Sequence, residues 1–312
     1  MKLILGSMTF GEQVEDSEAR SLLRDFRAAG HAEVDTAHVY CDGRSEEMLG
    51  KLLPADAADS PPIASKVNPW NDNGLQPAEI RRQFSESLSR LGRDSIDLLY
   101  LHSPDLDTPI ADTLEACYAL YRDGGFRRFG LSNYAAWQVA EIAELCRRHG
   151  WMQPQVYQGM YNALTRDVER ELFPCLRHYD MAFYAYNPLA GGLLTGKHSS
   201  AQEHADEGRF VRRSNYLERY WKAEYFAVLD ELRAACEGRD LTLLQVAFAW
   251  LQHHSMLRED QGDGIILGAS SVAHLDQNMA ACASKPLDDE LLEILDRGWD
   301  AIRPNCFRYF RP

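Results

Sequence analysis

Residues 33–46 read EVDTAHVYCDGRSE. Asp35 follows a short apolar–polar run near 32–36 that predicts a strand. Tyr40 falls in the loop beyond it, and the Gly43-Arg44-Ser45-Glu46 turn predicts the start of a helix. An Asp and a Tyr five residues apart are common on protein surfaces and carry no chemistry by themselves. Two later runs change their weight. PPIASKV (61–67) is strand-like and holds Lys66 near its end, and SIDLLYLH is an apolar run closed by His102. A carboxylate, a phenol, an amine and an imidazole therefore stand at or just beyond three successive strand ends.

Working outward, strand-like and helix-like patterns alternate along the chain. KLILGS (2–7) is a short apolar run, and RRFGLSN (127–133), QPQVYQG (153–159), MAFYAY (181–186) and GIILGAS (264–270) supply further strands. Pro77 to Leu91 is the clearest helix: Pro77 suits a first turn, and Ile80, Phe84, Leu88 and Leu91 form one stripe. Residues 187–220 break the rhythm with a Gly-rich and then polar stretch, which reads as a functional or mobile loop, and residues 198–220 of it are expected to close over the cofactor. Eight strand candidates, each followed by a helix, predict an α/β fold: a single (β/α)8 TIM barrel over residues 1–312, with an extra C-terminal helix and a tail. A doubly wound sheet is the rival, and the lack of a G-x-G-x-x-G after the first strand weighs against it.

Composition narrows the function classes. The 312 residues are 45% hydrophobic and 26% charged, with a formal net charge of −14. That balance argues against nucleic-acid or membrane-surface partners, which need a basic footprint. Seven cysteines are scattered without a C-x-x-C pair, which suits reduced thiols in a cytoplasmic setting. No apolar run approaches the length of a membrane span, and MKLILGSMTFG is too short for a signal peptide.

In a barrel all strands end at one face, and that face carries the active site. The residues at or past the strand ends are Asp35, Lys66, His102, Ser132, Asn133, Gln158, Tyr186, Asn187 and the 268–270 turn. A phenol is a weak acid at neutral pH, and a nearby ammonium stabilises its phenolate. A carboxylate keeps that ammonium charged, and an imidazole can orient a substrate oxygen. Asp35, Tyr40, Lys66 and His102 can thus protonate a carbonyl oxygen while a cofactor delivers hydride to its carbon.

DTAHVYCDGRSE, ASKVNPW, LLYLHSPD, RRFGLSNY, VYQGMYN, YAYNPLAGGLLTGK and ILGASSVAHLDQN resemble, in that order and spacing, the aldo-keto reductases. The resemblance runs from about Leu3 to Arg308. NPLAGGLLTGK and PNCFR look like the branch that reduces aflatoxin dialdehyde and succinic semialdehyde. The resemblance implies a barrel that binds NADPH and reduces a small-molecule carbonyl substrate, with Tyr40 as proton donor, Lys66 and Asp35 behind it and His102 orienting the carbonyl. It also implies that Ser132, Asn133 and Gln158 hold the nicotinamide carboxamide and that Tyr186 stacks on the ring. Asn187, Pro188, Leu189, Gly191, Gly192, Leu193 and Lys197 would wrap the pyrophosphate, with Arg209 as a further phosphate partner. Gly268, Ser270, Ser271, Gln277 and Asn278 would meet the adenosine end. Many relatives carry Lys or Arg where this chain has Gly268 and His274, which bears on NADPH against NADH. Branch members often look dimeric, so a homodimer is an open expectation.

Other residues divide between a site role and a plain one. Trp70 caps a substrate pocket or anchors a loop. Arg308 binds a substrate carboxylate or is a solvated tail residue, and the branch-like ending favours the former. His253 and His254 are adjacent, point about 100° apart on a helix and cannot chelate together, so no metal is expected. Cys41 stands directly after Tyr40, where Ser or Gly is expected, and a thiol there would make the site sensitive to oxidation. The alternative function is an NADPH-binding regulatory subunit with little turnover.

Overall fold

The structure is a computed structural model that describes residues 1–55, 60–198, 200, 209–212 and 214–311. Eight parallel strands close on themselves in chain order: β1 (Lys2–Gly6), β2 (Val34–Asp35), β3 (Ile63–Val67), β4 (Ile96–Leu101), β5 (Phe126–Ser132), β6 (Pro154–Met160), β7 (Ala182–Tyr186) and β8 (Gly264–Gly268). β1 pairs with both β2 and β8, which shuts the cylinder. The register sets Gly6 beside Asp35 and Gly268, Lys66 beside Tyr100, and Ser132 beside Gln158. The polar strand ends therefore lie at one mouth.

Helices cover the outside. After β1 comes α1 (Asp16–Ala28), after β2 α2 (Arg44–Leu52), after β3 α3 (Pro77–Leu91), after β4 α4 (Ile110–Arg122), after β5 α5 (Ala136–His149) and after β6 α6 (Leu172–His178). In α3 the stripe of Ile80, Phe84 and Leu91 is buried against the sheet, and Gly92 closes the helix in the left-handed region at φ 61°. Beyond β8 lie α11 (Val272–Cys282) and the extra helix α12 (Asp289–Ile302).

The expected loop over 187–220 is corrected in two places, by a 3-10 segment (Ala190–Thr195) and by α7 (Arg209–Arg212) and α8 (Ser214–Tyr220), while residues 199, 201–208 and 213 of it lie outside the described residues. α9 (Ala223–Cys236) and α10 (Leu243–His253) follow. Tyr216 and Tyr220, four residues apart on α8, are buried. A single aromatic stripe inside a polar sequence is enough to dock a two-turn helix. α12 packs on α9 so closely that a Cβ on Gly298 would come within 2.7 Å of Val228.

The barrel interior is filled, not hollow. Ile4, Ala64, Leu98, Tyr100, Val156, Tyr184 and Ile266 form one buried cluster inside it. Gly130 makes room for Tyr100, whose ring would be 2.4 Å from a Cβ there. Below that layer the floor is polar. Lys2 Nζ donates to Tyr184 Oη at 2.9 Å, Arg128 Nη2 lies 3.1 Å from Glu33 Oε1, and Arg128 also pairs with Asp97. A packed middle and a satisfied ionic floor leave only the mouth open to a ligand. No helix of the described residues is long and apolar enough to cross a membrane.

Candidate active site

A cavity of about 1410 Å³ opens at the strand ends. Its deepest wall is built from the stretch around Asp35. β2 ends at Asp35, and the chain then turns so that His38 N donates to Lys66 O at 3.1 Å. Tyr40 begins a tight turn there. Lys66 Nζ donates to Asp35 Oδ1 at 2.5 Å and to Thr36 O at 2.6 Å. Gln158 Nε2 donates to the other Asp35 oxygen at 2.8 Å. Burial pushes the Asp35 carboxyl up and the Lys66 amine down, and the contact between them opposes both shifts. Lys66 is wholly buried and lies beneath the cavity wall, with Nζ 4.9 Å from the centre of the Tyr40 ring.

His102 follows β4 and meets Tyr40 edge to face at 5.8 Å. Its other neighbour is Trp70, at 4.6 Å. Burial, with the Lys66 and Arg311 charges adding to it, holds the imidazole well below its ordinary range, so the ring is neutral at neutral pH. Its buried Nδ1 has no hydrogen-bond partner. Asn133 ties this side together: Nδ2 donates to His102 O at 2.8 Å and to Ser132 Oγ at 3.0 Å, and Oδ1 accepts from Tyr186 Oη at 2.8 Å.

The cavity continues past β7 along Asn187, Pro188, Leu189, Gly191 and Gly192 to Lys197. Gly191 and Gly192 have φ of 72° and 116°, which glycine adopts without strain. Among the described residues, a Cβ on Gly192 would meet nothing within 4 Å beyond its chain neighbours. At the far end stand Gly268, Ser270, Gln277 and Asn278. His274 joins them, with Nδ1 3.0 Å from Ser270 Oγ and Nε2 3.5 Å from Lys197 Nζ.

Three expected site residues stand elsewhere, and a fourth is not described. Leu193 is buried in the core. Ser271 is the N-cap of α11, where its hydroxyl accepts from His274 N. The Arg209 side chain lies outside the described residues. Arg308 is exposed and does not line the cavity, and its guanidinium lies 5.9 Å from the Phe310 ring. The reason is the next residue: Tyr309 is buried, accepting from Ala136 N and donating to Glu171. Turning Tyr309 inward turns Arg308 outward.

Two arginines that the sequence reading passed over line the cavity instead. Arg311 stacks on Trp70 at 4.7 Å, and its backbone N donates to Asn133 O at 2.9 Å. Arg219, on α8, is buried and lies over Phe307 at 4.7 Å; its Nε has no hydrogen-bond partner among the described residues. Arg219 is hidden in sequence by a segment that reads as loop, and Arg311 by a tail without periodicity. His253 and His254 do not converge: His253 Nε2 bonds Ser284 O, and His254 Nε2 accepts from Leu287 N.

Comparison with known proteins adds an independent finding. The model of the Aldo/keto reductase family matches residues 2–300. The chain is similar to the mouse "Aflatoxin B1 aldehyde reductase member 2", at 44% identity over 99% of this chain and 87% of that protein. It is similar to the human "Aflatoxin B1 aldehyde reductase member 4", at 43% identity over 98% of this chain and 96% of that protein. A fungal relative, "Aldo-keto reductase pigE" of Monascus ruber, is 36% identical over 95% of this chain and 90% of its own length.

Proposed function

The chain belongs to the aldo/keto reductase family, and from that premise we propose that it reduces aldehydes or reactive dicarbonyls to alcohols with NADPH, Tyr40 protonating the carbonyl oxygen. The observation that carries this reading is the buried set behind Tyr40: Lys66 held by Asp35, with the ammonium 4.9 Å from the Tyr40 ring and His102 edge-on at 5.8 Å. The names of the relatives, aldehyde reductases, agree with it.

NADPH, when bound, supplies the hydride that no side chain can. The cavity suits such a cofactor. It is long, and Gly192 in its wall carries no side chain that would keep phosphate from the backbone. Lys197, Ser270 and His274 converge at the far end, where a 2′-phosphate would find donors. Ser132, Asn133 and Gln158 would orient the carboxamide, and Tyr186 would form the stacking wall.

The protein's own part is then proton transfer and orientation. Neutral His102 can donate to the carbonyl oxygen from its ring while the Tyr40 hydroxyl gives up its proton. The Lys66 ammonium stabilises the phenolate left behind, and Asp35 and Thr36 O fix that ammonium in place. We read Arg219 and Arg311 as favouring carbonyl compounds that carry an anionic group. Both line the cavity, and no carboxylate among the described residues pairs with either. The pairing of β1 with β8 joins the first strand to the last, and Arg311 N donates to Asn133 O, which together support reading residues 1–312 as one catalytic domain.

Tyr40→Phe tests the reading. It should lower turnover of a small aldehyde at least about 100-fold, the lower end of the range for general acid catalysis, while a fluorescence titration shows NADPH binding unchanged. Near-normal turnover by the variant would remove Tyr40 from the mechanism.

A further inference from the structure

Tyr40 sits on a backbone that needs to be held. The three residues after it, Cys41, Asp42 and Gly43, are all left-handed, with φ of 51°, 57° and 90°. Two consecutive non-glycine residues in that region are uncommon and persist only where the surroundings fix them. Arg44 Nε donates to Cys41 O at 3.0 Å and Cys41 Sγ donates to Met8 O at 3.3 Å, but the group that reaches both sides of Tyr40 is Arg90, in the last turn of α3, a residue that does not line the cavity.

The Arg90 side chain grips the loop on both sides of Tyr40. Its Nη1 donates to His38 O, two residues before Tyr40, at 3.1 Å. Its guanidinium lies against Gly43, three residues after, so closely that a Cβ there would be 2.5 Å from Cζ. The grip is itself anchored. Glu46, on α2, is fully buried, and its Oε2 lies 3.3 Å from Arg90 Nη1. The other Glu46 oxygen accepts from Ser65 Oγ at 2.6 Å, and Ser65 is the strand neighbour of Lys66. A buried carboxylate needs such partners, so the guanidinium cannot swing away without stranding Glu46. Glu86 adds a second support, 2.8 Å from His38 Nε2 and 3.7 Å from Arg90.

We propose that Arg90, anchored by Glu46, is a positioning residue for Tyr40: it clamps the 38–43 backbone so that the phenol stays over Lys66 and beside His102. The clamp touches neither substrate nor cofactor and acts only through the loop. It links α2, α3 and β3 to the one turn whose displacement would separate Tyr40 from Lys66. The Glu46 charge also favours the ammonium form of Lys66, so the anchor and the site share a carboxylate. The inference rests on the reading of Tyr40 as proton donor.

The test compares wild type, Tyr40→Phe, Arg90→Lys and Glu46→Gln. Lysine keeps the charge facing Glu46 but cannot bond His38 O and Glu46 while also packing flat on Gly43. Glutamine keeps the shape of Glu46 and removes the charge that anchors Arg90. Measured are kcat and KM for a small aldehyde, the NADPH dissociation constant, the melting temperature, and the pH profile of kcat. Each clamp variant should lose about 10-fold or more in kcat, with NADPH affinity within twofold. The basic limb of its profile should move to higher pH, because a phenol further from Lys66 ionises less readily. A kcat within twofold of wild type and an unmoved limb would overturn the clamp, whatever happens to the melting temperature. So would a parallel loss of kcat and NADPH affinity, which marks general disruption. Unchanged turnover in Tyr40→Phe would overturn the proton-donor reading and the clamp with it; an inactive Tyr40→Phe beside fully active clamp variants would overturn the clamp alone.

Discussion

Lys66 shows what a single buried charge requires. Its ammonium is out of water and has two close acceptors, Asp35 and Thr36 O. Asp35→Asn would replace the charged acceptor by a neutral amide oxygen beside Thr36 O. Removing one member of a buried pair costs about 3–5 kcal/mol, so the variant should melt at a clearly lower temperature. It should also turn over aldehyde far more slowly, because an amine freed from its carboxylate favours the neutral form; melting curves and steady-state rates check both. His274 makes a second prediction. Burial first, then the Lys197 charge, lowers its pKa, so the ring is neutral at pH 8 and gains its proton only on acidification. A 2′-phosphate beside it would favour the cation. The preference for NADPH over NADH should therefore grow as pH falls from about 8 toward the phosphate's own pKa of about 6, and His274→Gln should flatten the trend. Fluorescence titration of both cofactors at several pH values measures it.

At the scale of elements, the segment after β7 carries the largest difference between sequence and structure. Gly and polar residues dominate 187–220, and propensity favours loop. Tyr216 and Tyr220 decide otherwise by docking α8 against the 3-10 segment, and that contact depends on Gly191, whose Cβ would lie 2.8 Å from the Tyr216 ring. Gly191→Ala also has to hold alanine at φ 72°, so it should destabilise the protein by about 1 kcal/mol or more and weaken NADPH binding. Thr242→Ala is the comparison. Thr242 caps α10 by accepting from Gln245 N, with the Gln245 side chain returning the bond to Thr242 N. Its loss should cost about 1 kcal/mol of stability and leave NADPH binding unchanged. Equal effects of the two variants on binding would show that the glycine edge has no special place in the cavity. The regular elements were easier to read. The stripe of α3 and the apolar runs of β4 and β8 are periodic, and periodicity survives without knowledge of neighbours.

For the whole molecule, the barrel separates a stabilising end from a reactive one. The floor satisfies its charges internally, through Lys2, Glu33, Asp97 and Arg128, while no carboxylate among the described residues pairs with Arg219 or Arg311 at the mouth. Folding also buries imidazoles. His31, His102, His254 and His274 all have pKa values lowered chiefly by burial. Below an unfolded pKa of about 6.5 the unfolded chain binds protons that the folded chain refuses, so stability falls as pH drops through that value. Melting temperatures between pH 7.5 and 5.5 should decline, and His102→Asn should decline less steeply. A flat profile in the wild type would contradict the burial of a neutral His102.

The sequence by itself determined the repeating unit, the closure into eight strands and the residues at the strand ends. Those follow from local periodicity and from the geometric rule that parallel strands of a barrel share one mouth. It also picked out Asp35, Tyr40, Lys66 and His102, because polar groups directly after apolar runs are conspicuous. Only the tertiary structure decided which arginines face the cavity, since Arg308 and Arg311 differ by a side-chain direction that Tyr309 sets. It alone brought Arg90 and Glu46, 44 residues apart, around the Tyr40 turn. Contacts between distant elements depend on packing angles and side-chain reach, which no local pattern along the chain encodes.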